Sequence, residues 1–494
     1  MINQYKDILK HAIIYGLTGL LGRALGFLMI PIYTRYLTPA DYGVIEILDV
    51  FVSIIGVLVC MGISMSVFKF YYSYDSKKEK NEVISTAIIF TFLITGVFVF
   101  TGVINRELLS NLLFQTNAYT KYIKIVLFTF LFDNTFNILL AFIRAQQKSL
   151  LYTTISIARL LIGLGLNIYF VVFRGMGVLG ILYSGLIMSC SGSILLMVYV
   201  IKEVGIKFSI KNSKEMMRYG LPLVPSSIGM FVIHFGDRFF LQRFSDLSQV
   251  GLYSIAYKFG FMINLLIVLP FSLVWDAKMF EIEKQDDAKQ VYKRVFTYFM
   301  FLLIFSFTAI TILIKDAMSI VVDEKFFDAY KIVPFIACAY VFNGSCYMLR
   351  IGLYLRKKTE YIGIVTAITT CVTIVIYYIL IPSMGAMGAA ISTLLSFLFW
   401  NVLTYVVSQR VYKIRYEWGR IAKLCLTSIL LIFFSDLIYF DHCQLSFLLK
   451  SFIILLFPLI LIALYFYQKP EIDLIKKTVL KLSNSLRLIK ITTK

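Results

Sequence analysis

Seven ionisable side chains fall in the middle of long apolar segments, where each needs a chemical reason: Arg23, Asp133, Arg159, His234, Asp237, Arg238 and Lys258. A charge facing lipid at that depth costs at least about 2.5 to 3.5 kcal/mol, so each is expected to meet a partner or a wet cavity. Depth along consecutive helical hairpins sorts them. Asp133 lies 13.5 residues before the centre of the turn at 144–149 and Arg159 lies 12.5 after it. At about 1.5 Å per residue the two are level, so an ion pair is feasible, either locking two helices together or coupling transport to an ion. His234, Asp237 and Arg238 stand at i, i+3 and i+4, on one helical face. Asp237 and Lys258 lie 9.5 and 11.5 residues either side of the next turn. Their pairing would leave Arg238 as surplus positive charge. His234 reads first as a packed core histidine, although its titration range also suits a gradient-driven switch.

Arg23 differs, because the carboxylates on the neighbouring hairpin strand, Glu46 and Asp49, lie about 7 to 12 Å shallower along the axis. A guanidinium without a level partner suits an anion, and a diphosphate matches its planar donor fork. The alternative is that Arg23 snorkels or pairs with a residue of the other bundle; the expected division of labour gives anion recognition to Arg23, with support from Arg159, Arg238 and Lys258, and ion coupling to Asp133, Asp237 and His234. Tyr253, Tyr257 and Phe261 recur at helical spacing, which favours ordinary packing over stacking on a sugar in a chain that is 16% aromatic.

These residues sit in a chain built for lipid. Of its 494 residues 59% are hydrophobic and 15% charged, with a mean hydropathy of +0.82, which lies outside the range of soluble domains. Runs of about 20 apolar residues or more occur at 12–33, 44–68, 83–104, 119–143, 150–172, 176–201, 218–242, 250–274, 292–314, 329–349, 360–381, 384–408, 419–440 and 446–467. The net charge of +20 does not call for nucleic acid. With the N-terminus in the cytoplasm, 33 lysines and arginines fall in inner segments and seven in outer loops, an asymmetry that places both termini in the cytoplasm. Seven scattered cysteines without a C-x-x-C pair read as free thiols. No P-loop, nucleophile elbow or metal cluster appears. The outer loops are also too short for the carboxylate-bearing domain expected of a membrane glycosyltransferase or polymerase. The chain therefore reads as no enzyme and as needing no cofactor.

A pattern that occurs twice organises the rest. Gly177-Val178-Leu179-Gly180 through Ser184 aligns without gaps on Gly385-Ala386-Met387-Gly388 through Ser392, giving G-x-x-G-x-x-x-S at an offset of 208. Tyr15-Gly16-Leu17 matches Tyr219-Gly220-Leu221 at an offset of 204, and Gly43 and Gly251 are again 208 apart. Such duplication is the usual construction of a secondary transporter, with the solute site between the copies. Six spans per copy is an even number, so the copies should be related by an axis along the membrane normal.

The segment from Gly16 through Pro31-Ile32-Tyr33-Thr34-Arg35-Tyr36-Leu37-Thr38-Pro39-Ala40-Asp41-Tyr42-Gly43, and Tyr219-Gly220-Leu221-Pro222 to Asp237-Arg238, resemble the Wzx-type polysaccharide or O-antigen flippases of the multidrug/oligosaccharidyl-lipid/polysaccharide exporter superfamily. The resemblance implies outward movement of an undecaprenyl-diphosphate-linked oligosaccharide by ion-coupled alternating access through a cationic cavity. Multidrug and peptidoglycan-precursor exporters share that fold and are the alternatives; an acidic cavity would mark a drug exporter, and four basic against two acidic mid-span charges argue against one.

The expected architecture is all-α and integral to the membrane. It has fourteen transmembrane helices: two six-helix bundles related by a pseudo-two-fold along the membrane normal, plus two C-terminal helices. The expected divisions are a first bundle at 1–201, a cytoplasmic linker at 202–217, a second bundle at 218–408, helices thirteen and fourteen at 409–467 and a basic cytoplasmic tail at 468–494. The expected location is the inner membrane of the cell. The expected partners are a lipid-linked glycan, membrane lipids and a polysaccharide polymerase complex, with no nucleic acid.

Overall fold

The computed structural model describes Gly22, residues 26–60, 62–437 and 443–469, and Glu471. Among these residues every regular element is helical. In chain order the helices are α1 (Ile30–Tyr36), α2 (Pro39–Cys60), α3 (Ile63–Ser73), α4 (Lys77–Ile104), α5 (Arg106–Phe114), α6 (Thr120–Ala145), α7 (Ser149–Ile168), α8 (Gly177–Val204), α9 (Ile210–Gly220) and α10 (Val224–Phe244). They continue with α11 (Leu247–Gly260), α12 (Leu269–Ile282), α13 (Ala288–Val321), α14 (Val333–Leu349), α15 (Ile351–Leu355), α16 (Glu360–Val411), α17 (Trp418–Asp436), α18 (Cys443–Leu455) and α19 (Phe457–Ala463).

Among the described residues eleven helical stretches are long and apolar enough to cross a bilayer, or twelve when α9 and α10, bent by 49° at their junction, count as one span. The protein is a multi-pass membrane protein. The first expected span, 12–33, lies largely outside the described residues. The boundary expected between spans eleven and twelve falls inside α16, where Gly385 (φ 55°, ψ −132°) is not helical.

The chain divides into two compact units, one of residues 1–283 and 318–413, the other of 284–317 and 414–494. In lipid, burying leucine against leucine gains little, because the tails outside are as apolar as the interior, so close packing and interhelical hydrogen bonds hold such helices together. The first unit shows both. Phe136, Leu139 and Phe142 of α6 pack with Val83 and Ala87 of α4 and Val200 of α8. Asn134 then ties three helices: its amide donates to Thr95 Oγ1 at 2.8 Å and its carbonyl accepts from Cys60 Sγ at 2.9 Å. In the second unit Lys450 Nζ meets Asp316 at 2.8 Å and Thr308 Oγ1 bonds Ser428 Oγ at 2.7 Å.

Within the first unit the duplication is visible as local geometry. Thr38 and Asp41 close the start of α2 reciprocally, Thr38 N donating to Asp41 Oδ2 at 3.0 Å and Asp41 N to Thr38 Oγ1 at 3.1 Å, a capping box. At positions 208 further on, Gln249 N donates to Asp246 Oδ1 at 2.8 Å at the start of α11. Gly177 and Gly385 both take φ +55°, a conformation that side chains disfavour. Three residues later, Gly180 and Gly388 allow close backbone passage: a Cβ would lie 3.1 Å from Phe170 C and 2.3 Å from Leu380 O, respectively.

Candidate functional site

Arg238, 1% exposed, is the centre of the polar interior of the first unit. Its Nη1 donates to Asp237 Oδ1 at 2.7 Å and to the His234 carbonyl at 3.1 Å, and its Nε donates to Glu46 Oε1 at 3.3 Å. The guanidinium also lies 4.0 Å from the Tyr257 ring centroid. Asp237 is fully buried; its second oxygen accepts from the Tyr253 hydroxyl and, at 3.0 Å, from Thr393 Oγ1. Neighbours at i and i+1 seldom meet on a helix, but a long side chain leans toward the N-terminus and folds back over its own preceding turn. That is how Arg238 reaches both Asp237 and the His234 carbonyl.

The expected pair of Asp237 with Lys258 does not form. Lys258 Nζ donates instead to Tyr42 Oη at 2.5 Å, within electrostatic reach of Glu46 and Asp49. Position along a hairpin carries no azimuth. Tyr253 and Tyr257 occupy the α11 face toward Asp237 and His234, and Lys258, one residue on, points about 100° away, toward α2. Arg238 is consequently no surplus cation. Asp49, on α2, is exposed although protein surrounds it, and among the described residues its carboxylate makes no hydrogen bond or ion pair. Glu46, too shallow for Arg23 by the spacing, pairs instead with Arg238 of the second copy, and Asp49 lies within electrostatic reach of Lys258. Arg23 itself lies outside the described residues.

Lys258 opens onto a cavity of about 480 Å³ that it shares with Arg159, Tyr33, Ser156, Asn167 and Met188. Arg159 on α7 forms the expected ion pair with Asp133 on α6, through Nη2, which also donates to Ser189 Oγ at 3.1 Å. The Phe136 ring lies 4.1 Å from its guanidinium carbon. Among the described residues Nε and Nη1 of Arg159 make no hydrogen bond, and its side chain keeps 19% exposure. Cations from both copies, Arg159 and Lys258, thus line one space.

The ring of His234 packs edge-on to Phe397 at 5.0 Å and lies 6.0 Å from Trp400. It also lines a separate cavity of about 260 Å³ with Arg350 and Asn264. Arg350 falls between α14 and α15, with its guanidinium 4.5 Å from the Trp400 ring. Tyr253 and Tyr257 are buried and bond within the network, Tyr257 Oη donating to the His234 carbonyl at 3.1 Å and accepting from Tyr340 at 2.6 Å, so packing is their role. Sequence reasoning missed Tyr42, Glu46 and Thr393 as members of this network. The signal for Thr393 was adjacency to Ser392 of the repeated pattern; for Glu46 it was a carboxylate inside a span.

Comparison with known proteins places this geometry. Residues 8–275 match the family described as "Polysaccharide biosynthesis protein". A curated relative from Haloferax volcanii, the "Probable low-salt glycan biosynthesis flippase Agl15", is 21% identical over 434 residues, covering 86% of this chain and 88% of the relative. The solved structure of the lipid II flippase MurJ in an inward closed conformation superposes with a TM-score of 0.76 at 16% identity, covering 92% of this chain and 99% of that one. A multidrug resistance MATE family transporter of the MOP superfamily, inward-facing, gives 0.61 at 15% identity, with 82% and 96% covered. The fold is that of these multi-span transporters, and with more than half of its length matched the chain belongs to the polysaccharide biosynthesis protein family.

Proposed function

We propose that the protein moves an undecaprenyl-diphosphate-linked oligosaccharide from the inner to the outer leaflet of the cytoplasmic membrane by ion-coupled alternating access. The observation that carries this reading is the cavity lined by Arg159 of the first copy and Lys258 of the second. A ligand anion bridging both is held by both halves, as alternating access between repeats requires. At about 480 Å³ the space falls within the range of small-ligand sites, about 300–1,000 Å³. It therefore suits the diphosphate end rather than a whole glycan. Arg23 and Arg238 complete the proposed set, Arg238 indirectly by holding Glu46 in place.

For coupling, Asp237 is fully occupied by Arg238, Tyr253 and Thr393, which leaves Asp133 and His234 of the expected groups, and adds Asp49. A proton or cation taken up at Asp49 would weaken its electrostatic attraction for Lys258 and so link ion to substrate. The experiment is a deletion strain complemented with wild type, Lys258→Gln or Asp49→Asn, with surface glycan and inner-leaflet lipid-linked oligosaccharide measured. Export restored by wild type and lost, with accumulation of the lipid-linked precursor, in both variants is expected. Surface glycan unchanged by the deletion overturns the reading.

One observation favours a drug exporter instead. Around Lys258 and Arg238 the described carboxylates are three, Glu46, Asp49 and Asp237, so this cluster is not cationic. Sensitivity of the same deletion strain to cationic dyes separates the two readings.

A further inference from the structure

A third cavity, of about 320 Å³, lies between α7 and α8 and is lined by Leu151, Ile155, Ile162, Gly192, Leu195 and Tyr199. Its walls are almost wholly apolar, and its rim residues Ile162 and Leu195 are 56% and 73% exposed. The span Ser149–Phe173 is correspondingly thin in contacts, with 11% of its most apolar window buried inside the protein. Phe136, Arg159 and Met188 line both this groove and the cavity that holds Lys258. One cation therefore stands where an apolar groove open to the side meets the cavity that reaches Lys258. A lipid-linked anion has the same order of parts: apolar tail, phosphate at the junction, polar head beyond.

Resting on the function proposed above, we infer that the α7–α8 groove is the lateral seat of the polyprenyl tail, with the diphosphate entering past Arg159 and held between Arg159 and Lys258 in the inner cavity. Because lipid outside is as apolar as the groove, the tail itself gains little by entering. Selection rests on the charge at the junction, where a charge-assisted hydrogen bond is stronger than a neutral one. Nε and Nη1 of Arg159, which make no hydrogen bond among the described residues, supply that contact while Nη2 stays with Asp133.

The test uses the full-length protein in phosphatidylcholine nanodiscs and undecaprenyl diphosphate carrying a diazirine on the isoprene unit nearest the diphosphate. Photolabelling is expected at Ile162, Met188 and Leu195. Leu195→Trp and Gly192→Leu, whose new Cβ would stand 3.3 Å from the Phe136 ring, fill the groove and should lower labelling about tenfold. Val97→Trp, at a 67% exposed position on α4, should leave labelling unchanged, and controls for bulk facing lipid. Arg159→Gln should remove the preference for the diphosphate over undecaprenol. Labelling spread along other helices, unchanged by groove-filling, or competed equally by phosphatidylglycerol makes this an ordinary lipid contact and overturns the inference. Capture and export intact in the groove variants defeat the groove alone. Wild type that neither captures the probe nor restores export defeats the proposed function as well.

Discussion

Gly43 and Gly251 meet back to back where α2 and α11 cross. A Cβ on Gly43 would lie 2.0 Å from the Leu247 carbonyl oxygen, and one on Gly251 would lie 2.0 Å from that of Pro39. Leu247 is Pro39 displaced by 208 positions, the same offset that relates the two glycines. Residue i touching j while j's counterpart touches i's is the mark of an isologous contact, here between two copies within one chain. A two-fold axis running between these glycines accounts for it.

Alanine at either glycine must therefore push the helices apart, since its Cβ meets backbone and not a movable side chain. Gly43→Ala and Gly251→Ala should each lower stability in detergent by about 1–3 kcal/mol or more. The double variant should add little beyond the larger single effect, because both relieve one crossing. Gly165→Ala, with nothing within 4 Å of its Cβ, is the neutral control. Thermal unfolding decides; additive losses would remove the shared crossing.

The buried network around Arg238 predicts a graded series. Asp237→Asn strips the closest counter-charge from a cation that is 1% exposed, and loss of a buried partner costs about 3–5 kcal/mol. Tyr253→Phe removes one hydroxyl donor and should cost about 1–3 kcal/mol. Asp133→Asn, whose side chain is 41% exposed, should change stability by about 1 kcal/mol or less. Unfolding midpoints in that order are expected. An Asp133 effect as large as that of Asp237 would contradict the division into structural and open charges.

How much of this was legible depends on which coordinate each argument used. Helical character, most spans and the duplication came from periodicity and spacing, which local sequence carries directly. The Asp133–Arg159 pair was legible because a short turn links their helices and fixes their relative depth. The partners of Lys258 and Arg238 were not. Tyr42 and Glu46 lie some 200 positions away, on a helix brought near by the crossing at Gly43, and only azimuth distinguishes Lys258 facing Tyr42 from Lys258 facing Asp237. The appearance of Lys284–Ala317 in the same compact unit as residues after 413 likewise has no local signal.

The membrane orientation is open to direct test. Lys211 is exposed on α9 in the basic segment 202–217, whereas Asn117 is exposed between α5 and α6. The charge asymmetry puts the first inside and the second outside. In a cysteine-free background and intact cells, Asn117→Cys should react with an impermeant maleimide and Lys211→Cys should react only after permeabilisation. The reverse pattern would invert the topology, and with it the proposed direction of transport.

The last prediction concerns pH and the second unit, where Glu417 precedes α17. Burial pushes its carboxyl upward. A hydrogen bond from Thr297 Oγ1 at 2.8 Å, Arg420 Nη1 at 3.0 Å and Lys293 Nζ at 3.3 Å outweigh that and hold its pKa below the usual glutamate value. A carboxyl depressed in the folded state stabilises above its unfolded pKa, and the contribution disappears as pH falls through the folded value. Wild-type stability relative to Glu417→Gln should therefore be constant from neutral pH down to the ordinary glutamate range. Below that range the gap should narrow as Glu417 takes up its proton. Unfolding midpoints of both proteins between neutral and strongly acidic pH measure this difference directly. A gap that stays constant into acid would mean that the amide replaces the carboxylate at no electrostatic cost, and that the contacts to Arg420 and Lys293 do not stabilise the unit.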